Sequence, residues 1–505
     1  MKLTLPGLQS ADWTRANIDL PAFDIQAMRR RTAEAPAWVH FGAGNIFRAF
    51  PCAALQRLLD RGAYDRGVIA CETYDPEILR RAYAPFDNLS LLCVLRADGQ
   101  IEKRVIASVA EAIAADGPGR ARMADIFESP SLQMVSLTVT EKAYKPDNPM
   151  MAMLCGLLKR RFAACGAPVA LVSMDNCAHN GEKLRAAMLP AAEAMAEGGE
   201  AEAFLAYMRR KVTFPNTMID KITPHPDAKV AEMLASLGFE DTGILHTARG
   251  AATAAFVNAE QAEYLVVEDD FPNGRPPLEK AGVVFTDRET VDKVEKMKVG
   301  TCLNPLHTAL AVLGCLLGYT KISDEMQDED LRRFVYRLGY VESLPVVRDP
   351  GVVSPRAFLD EVLTRRLNNP FLPDTPQRIA TDTSQKIPVR FGGTIAATRD
   401  PSTLHCVPFV MAAWLRYLTG VDDEGNALVP SPDPRMEEVR ARMAAGLTDE
   451  LLGDATLFGA DLVQAGLASR VRRLFSEMMQ GRGAVRAALR RLLAEEPEKA
   501  PEEGR

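Results

Sequence analysis

Over the first half of the chain, short and largely apolar segments alternate with helical stretches. Near residue 290 this alternation stops, and the change constrains the fold more than any other feature. Trp38–Phe41, Gly67–Cys71, Met134–Val139, Val169–Ser173, Tyr264–Val267 and Val283–Phe285 read as buried strands. Leu91–Leu95 and Ile101–Ile106 flank Ala97-Asp98-Gly99 and read as a hairpin. Strands separated by helices predict an α/β sheet with parallel crossovers. From about Val291 the apolar residues recur at three and four spacing, as in Met436–Ala445 and Ala484–Ala494, which predicts helices almost throughout. A proline-rich stretch between Pro345 and Pro388 interrupts them. At 505 residues the chain is too long for one core. The expected division is an amino-terminal α/β domain over 1–290, a mostly α-helical domain over 291–495 and a frayed tail over 496–505.

Sixty lysines and arginines against 67 acidic residues leave a net charge of −7. That balance argues against a nucleic-acid partner, which calls for a basic footprint. It leaves room for a local basic pocket that takes a small anion. The nine cysteines form no Cys-x2-Cys pair and are expected to be reduced thiols in a cytoplasmic protein. No apolar run reaches 18 residues and the start is not a signal peptide, so no membrane partner is expected; Leu306–Tyr319 reads as a buried core helix. No histidine–carboxylate set has metal-ligand spacing, so no metal is expected. His40, His225, His246 and His405 read as structural, while His179 lies beside a candidate site motif.

The run Val39-His40-Phe41-Gly42-Ala43-Gly44-Asn45-Ile46-Phe47-Arg48 joins a strand to a helix. Gly42 permits a tight turn and Gly44 a close approach of backbone to a pyrophosphate, as in dinucleotide-binding turns. Phe47 replaces the third glycine, so an ordinary strand–helix turn stays open as a reading. The next strand ends in Glu72-Thr73-Tyr74-Asp75. An acidic group there can take the ribose hydroxyls and favours NAD over NADP. Asp75 is equally well placed to cap the helix that begins at Pro76. A second cluster runs Glu295-Lys296-Met297-Lys298-Val299-Gly300-Thr301-Cys302-Leu303-Asn304-Pro305-Leu306-His307. A desolvated lysine can exchange protons near neutral pH, and an asparagine amide can donate to a developing alkoxide. Solvated lysines beside a helix start remain the plainer reading.

Taken together, seven motifs in order make the chain resemble the polyol-specific long-chain dehydrogenase/reductase, or mannitol dehydrogenase, family over about residues 30–480. They are His40–Phe50, Thr138–Tyr144, Ser173–Gly181, Phe214–Pro224, Phe271–Val283, Lys298–His307 and Arg378–Arg390. The resemblance implies a Rossmann-type domain, a helical domain, substrate in the cleft between them, and NAD-dependent oxidation without a metal. It implies Lys298 as acid/base, Asn176 and Asn304 as the amides on the reacting oxygen, and His307 as the substrate-positioning group. Arg378, Lys386, Arg390 and Asp220 correspond to substrate-binding positions, and Glu295 to a gate for the proton. Gly42, Gly44, Asn45, Phe47, Arg48, Glu72 and Asp75 are the expected cofactor-binding set. The protein is expected to be a monomer or weak oligomer.

Two departures from the family pattern stand out. The expected spacing is Lys-x4-Asn-x2-His, whereas here Lys298 and Asn304 have five residues between them. One extra residue turns a continuous α-helix by about 100°. Either Gly300 marks a bulge that absorbs it or the lysine sits outside a helix; Glu295 favours Lys298 over Lys296. In addition, Arg48-Ala49-Phe50 stands where mannitol enzymes often carry a histidine. A sugar acid needs a cation for its carboxylate, and Arg378, Lys386, Arg390, Arg48 and Lys142 are candidates. The Thr140–Tyr144 and Asp382–Arg390 runs look most like the uronate-reducing members. The expected reaction therefore interconverts D-fructuronate and D-mannonate. Alternatives are D-mannitol with D-fructose, tagaturonate reduction and, remotely, an inactive NAD or sugar sensor.

Overall fold

The structure, a computed structural model, describes residues 1–196 and 198–495; the expected frayed tail, 496–505, lies outside the described residues. The chain divides into two compact units, Met1–Asp292 and Lys293 onward.

In the first unit six parallel strands form one sheet. They are β1 (Trp38–Phe41), β2 (Val68–Glu72), β3 (Val109–Ala114), β4 (Met134–Leu137), β5 (Val169–Ser173) and β6 (Val212–Thr213), in the order β3-β2-β1-β4-β5-β6. This is the doubly wound dinucleotide-binding order, which reverses between β1 and β4. Successive residues alternate between two cores. Trp38, Ala70, Met134 and Val172 pack on one side with Leu55 and Leu58 of the helix Pro51–Asp60. Val39, Ile69, Val135 and Leu171 pack on the other with Phe127, Leu154 and Leu184 from three further helices. Burial on both faces is why these strands are apolar at successive positions.

The predicted hairpin is present, Ser90–Leu95 against Ile101–Ile106, and Phe256–Glu260 adds a parallel strand to it. A three-stranded sheet joins Thr217–Asp220, Tyr264–Glu268 and Val284–Thr286. A small antiparallel hairpin, β7 (Leu245–His246) and β8 (Ala252–Thr253), follows β6 in the chain.

The second unit is helical around two apolar helices. Every residue of Cys406–Leu418 is buried, and so is all of Asn304–Leu316 except Asn304 and His307. Glu342 caps the former, its carboxylate accepting the N–H groups of His405, Cys406 and Val407 at 2.7, 2.6 and 2.9 Å. Among the described residues one helical stretch, Arg288–Leu316, is long and apolar enough to cross a membrane, yet 78% of its apolar window is buried in the protein, as in a core helix. All nine cysteines are free thiols and seven are buried.

Candidate active site

In the first unit the crevice lies where the strand order reverses, at the carboxyl ends of β1 and β4. Gly42 follows β1 with φ +108°, and a Cβ there would stand 2.3 Å from the Thr138 carbonyl oxygen that follows β4. Only glycine fits this turn. Gly44 precedes helix α1 (Asn45–Ala49), and a Cβ there would meet nothing within 4 Å. The turn is closed beneath and open above, the shape that lets backbone approach a pyrophosphate. The residues present therefore fit a dinucleotide.

The other expected cofactor residues are built into the turn itself. Phe47 is wholly buried and stacks on His40, ring centroids 4.0 Å apart. Burial holds the His40 ring down to about 3, so it is neutral; its nitrogens lie 2.7 and 2.9 Å from the hydroxyls of Ser136 and Thr138. Arg48 is buried and donates to the Ala254 carbonyl, the Thr253 hydroxyl and the Asn45 side chain at 2.7, 2.9 and 2.8 Å. Asn45 in turn donates to the Ala252 carbonyl at 3.3 Å. Burial closes direct cofactor contact to Phe47 and Arg48. Glu72 is buried, and its carboxylate accepts from the N–H groups of Ala43, Tyr74 and Asp75 at 2.9, 2.8 and 3.0 Å. It braces the glycine turn rather than standing open. Asp75 is buried and accepts the Thr247 hydroxyl at 2.6 Å; its side chain does not cap the following helix.

A partly buried network not singled out from sequence shapes the loops after β4 and β5. Asp175 accepts the N–H groups of Val139 and Thr140 at 3.1 and 3.0 Å and the Tyr144 hydroxyl at 2.5 Å. Burial, together with Asp175, drives the Tyr144 hydroxyl far above the ordinary phenol range. Thr140 is held at φ +72°, a strained setting for a β-branched residue. Asn180 is bonded through its amide to the Asp175 carbonyl and the Thr217 backbone and hydroxyl, each at 2.9 Å. The Asp175–Gly181 and Phe214–Thr217 motifs thus interlock, and Asn176 is left exposed on the loop after β5. Asp220 ends its strand as a buried residue. The signal for Tyr144 and Asp175 was their place inside two recurring motifs.

Helix α2 (Arg288–Met297) begins at the end of the first unit and passes, in the second, into a π-helical turn, Lys298–Cys302, and then into α3 (Asn304–Leu316). The Leu303 N–H donates to the Lys298 carbonyl at 3.2 Å across the widened turn. The turn absorbs the extra residue between Lys298 and Asn304; a π-bulge is a one-residue insertion taken up locally. Lys298 is 3% exposed, whereas Lys296 is exposed and Glu295 half-buried. Asn304 and His307 are the two half-buried positions of α3, one turn apart. Among the described residues the Asn304 side-chain amide makes no hydrogen bond. His307 Nε2 lies 3.5 Å from Asp374 Oδ2, and Asp374 also pairs with Arg378. Burial opposes charge on Asp374, but His307 and Arg378 together hold it below the usual carboxylate range.

Helix α4 (Thr383–Ala397) places Lys386 and Arg390 one turn apart on the same face. Arg390 donates to the Thr308 hydroxyl and, at 3.4 Å, to the Asn304 carbonyl, so it stands beside the head of α3. Lys386 donates to the Ile379 carbonyl at 2.9 Å. Among the described residues neither cation ion-pairs with a carboxylate. Burial lowers Arg390 to about 10. Burial first, then Arg390 and Arg378, lowers Lys386 to about 8. The structure thus brings Lys298, Asn304, His307, Lys386 and Arg390 to one region of this unit, with the exposed Arg378 at its rim. Among the described residues no three histidines, cysteines or carboxylates cluster as metal ligands.

Residues 36–280 match the mannitol dehydrogenase Rossmann domain and residues 290–479 the mannitol dehydrogenase C-terminal domain. The chain is 45% identical to a D-mannonate oxidoreductase of Thermotoga maritima, over 96% of this chain and 98% of that one. Among solved structures it is similar to a D-sorbitol dehydrogenase in substrate-free form (TM-score 0.80, 26% identity, 94% and 98% coverage). It is also similar to the mannitol 2-dehydrogenase of Pseudomonas fluorescens in a ternary complex with NAD and D-mannitol (TM-score 0.71, 27% identity, 98% and 100% coverage).

Proposed function

The chain belongs to the mannitol dehydrogenase family, and from that premise we propose that it interconverts D-mannonate and D-fructuronate with NAD and no metal. The observation that carries the sugar-acid reading is the Lys386–Arg390 pair. Two cations one helical turn apart, half-buried and, among the described residues, in ion pair with no carboxylate, repel each other, and the more distant Asp382 and Asp433 do not restore Lys386 to its ordinary value. A substrate carboxylate answers that charge, and a neutral polyol does not.

When bound, the nicotinamide of NAD supplies the two-electron acceptor; Gly42, Gly44 and Asn45 form the cradle for its dinucleotide. Lys298 takes the hydroxyl proton on oxidation and returns it on reduction, with Glu295 as its gate to solvent. Its burial in the π-turn excludes competing water. The free amide of Asn304 donates to the oxygen as it becomes a carbonyl. His307, oriented by Asp374, holds a neighbouring hydroxyl, and Arg378 fixes Asp374. The parts of Asn176 as second amide donor and of Asp220 in substrate binding rest on their motifs. We place the protein in the cytoplasm as a monomer or weak oligomer, a reading supported by its free thiols.

The test is NAD reduction followed by absorbance, with D-mannonate and D-mannitol side by side in EDTA. Turnover with mannonate alone is expected. Turnover with mannitol alone refutes the carboxylate site, and loss of activity in EDTA refutes metal independence. Lys298→Ala is expected to abolish turnover while NADH still binds; unchanged turnover removes the lysine from the mechanism.

A further inference from the structure

We propose that Tyr74 and Arg249 form the clamp for the adenosine end of the cofactor, and that Arg249 admits a 2′-phosphate, so that the enzyme uses NADP(H) as well as NAD(H). The proposal rests on the dinucleotide reading of the glycine turn. Tyr74 is 66% exposed, the one exposed tyrosine, phenylalanine or tryptophan among the described residues. It sits two residues beyond the carboxyl end of β2, where the adenosine ribose of a dinucleotide comes to lie. The Arg249 guanidinium covers this ring at 4.5 Å from its centroid and is itself exposed. A tyrosine–arginine stack in water holds together only weakly, but it offers a flat, cationic face for a base.

The stack is carried on a hairpin fastened for that place. Arg249 lies on the tip between β7 and β8, where Gly250 turns the chain at φ +85°. On one side Thr247 donates to Asp75 at 2.6 Å, the Ala248 N–H to Glu77 at 2.9 Å, and Arg81 to the His246 carbonyl at 3.1 Å. On the other side Asn45 and Arg48 hold Ala252, Thr253 and Ala254. The hairpin therefore bridges the helix of the glycine turn and the segment after β2.

The same bonds decide the 2′ position. Discrimination against NADP normally needs an open carboxylate at the end of β2 that takes the ribose hydroxyls. Here Glu72 receives three backbone N–H groups and Asp75 receives Thr247, and both are buried. The charged side chain left open beside Tyr74 is a cation. An arginine there bonds a phosphate and stacks on a base at once.

The test is a fluorescence titration of NADH and NADPH binding without sugar, paired with melting temperature. Wild type is expected to bind NADPH within about tenfold of NADH. Arg249→Ala should weaken NADPH about ten- to hundredfold and NADH only a few-fold, the loss of one charge-assisted contact. Tyr74→Ala should weaken both nucleotides by about five- to a hundredfold, and Tyr74→Phe should restore them, since the ring alone does the stacking. Melting temperatures without nucleotide should not move. An NADPH affinity unaltered by Arg249→Ala overturns the phosphate contact, and equal binding by Tyr74→Ala and wild type overturns the platform. If neither nucleotide binds the wild type, the dinucleotide reading falls and the clamp with it.

Discussion

Lys386 offers the sharpest test of the sugar-acid reading, because its ordinary value of 10.5 is lowered to about 8, within easy reach of experiment. The causes are burial, then Arg390 and Arg378. At about pH 7 roughly nine-tenths of the free enzyme carries the charge, and at about pH 9 roughly one-tenth does. A charge-assisted hydrogen bond to a carboxylate contributes about 1.5–3 kcal/mol. Lys386→Met should then lower kcat/KM for D-mannonate about ten- to hundredfold at neutral pH. By about pH 9 that deficit should shrink about tenfold, because wild type has lost the charge the variant never had. The ratio of wild type to variant is the quantity to plot. It cancels every ionisation the two enzymes share, and kcat/KM reports groups of the free enzyme. Arg390→Met removes one of the charges that depress Lys386 and should move the break to higher pH. A wild-type-to-variant ratio constant from about pH 7 to about pH 9 would refute the argument.

Three further outcomes follow from the geometry. Deleting Gly300 should convert the π-turn to α-helix and leave Lys298 and Asn304 on the faces they hold now, so kcat for mannonate should stay within about tenfold; a larger loss with NADH binding intact would show that the widened turn itself aims the lysine. Gly42→Ala would drive a methyl group into the Thr138 carbonyl at a φ that disfavours side chains, so NADH affinity should fall more than about tenfold and the melting temperature should drop; a variant that binds normally would remove the turn from the cofactor site. Glu325 is buried with neither oxygen hydrogen-bonded among the described residues, and burial followed by Asp328 and Asp324 raises it well above 4.5. Such a group stabilises the fold fully only below its unfolded value and costs stability as pH rises through its folded value. Glu325→Gln should therefore raise the melting temperature at about pH 8 and leave it nearly unchanged at about pH 4, and a gain that is larger in acid would contradict the sign.

What could be read in advance divides along a physical line. Strands buried on both faces announce themselves by continuous apolar runs, so β1, β2, β4 and β5 were visible. The strand β3 is Val-Ala-Glu-Ala-Ile-Ala at the sheet edge, with only Val109 and Ile113 buried, and its alanines and glutamate suit a helix equally well. Phe256–Glu260 is wholly buried yet carries Asn258 and Glu260, whose polarity is answered by bonds to His225 and Ile222 that no local pattern displays. The same holds at the site. The motifs mark which residue types the chemistry needs, and the one-residue excess before Asn304 left two readings open, a bulge at Gly300 or a lysine outside a helix, between which the π-turn decides. Whether a polar group stands open or is filled depends on partners far away in the chain. Glu72 and Asp75 are the residue types that hold a ribose, but Ala43 and Thr247 reach them first, 29 and 172 residues away. Lys386 and Arg390 are the reverse case: the fold half-buries two cations together, ion-pairs neither with a carboxylate among the described residues, and leaves Lys386 lowered despite Asp382 and Asp433; that excess charge is what argues for an acidic substrate.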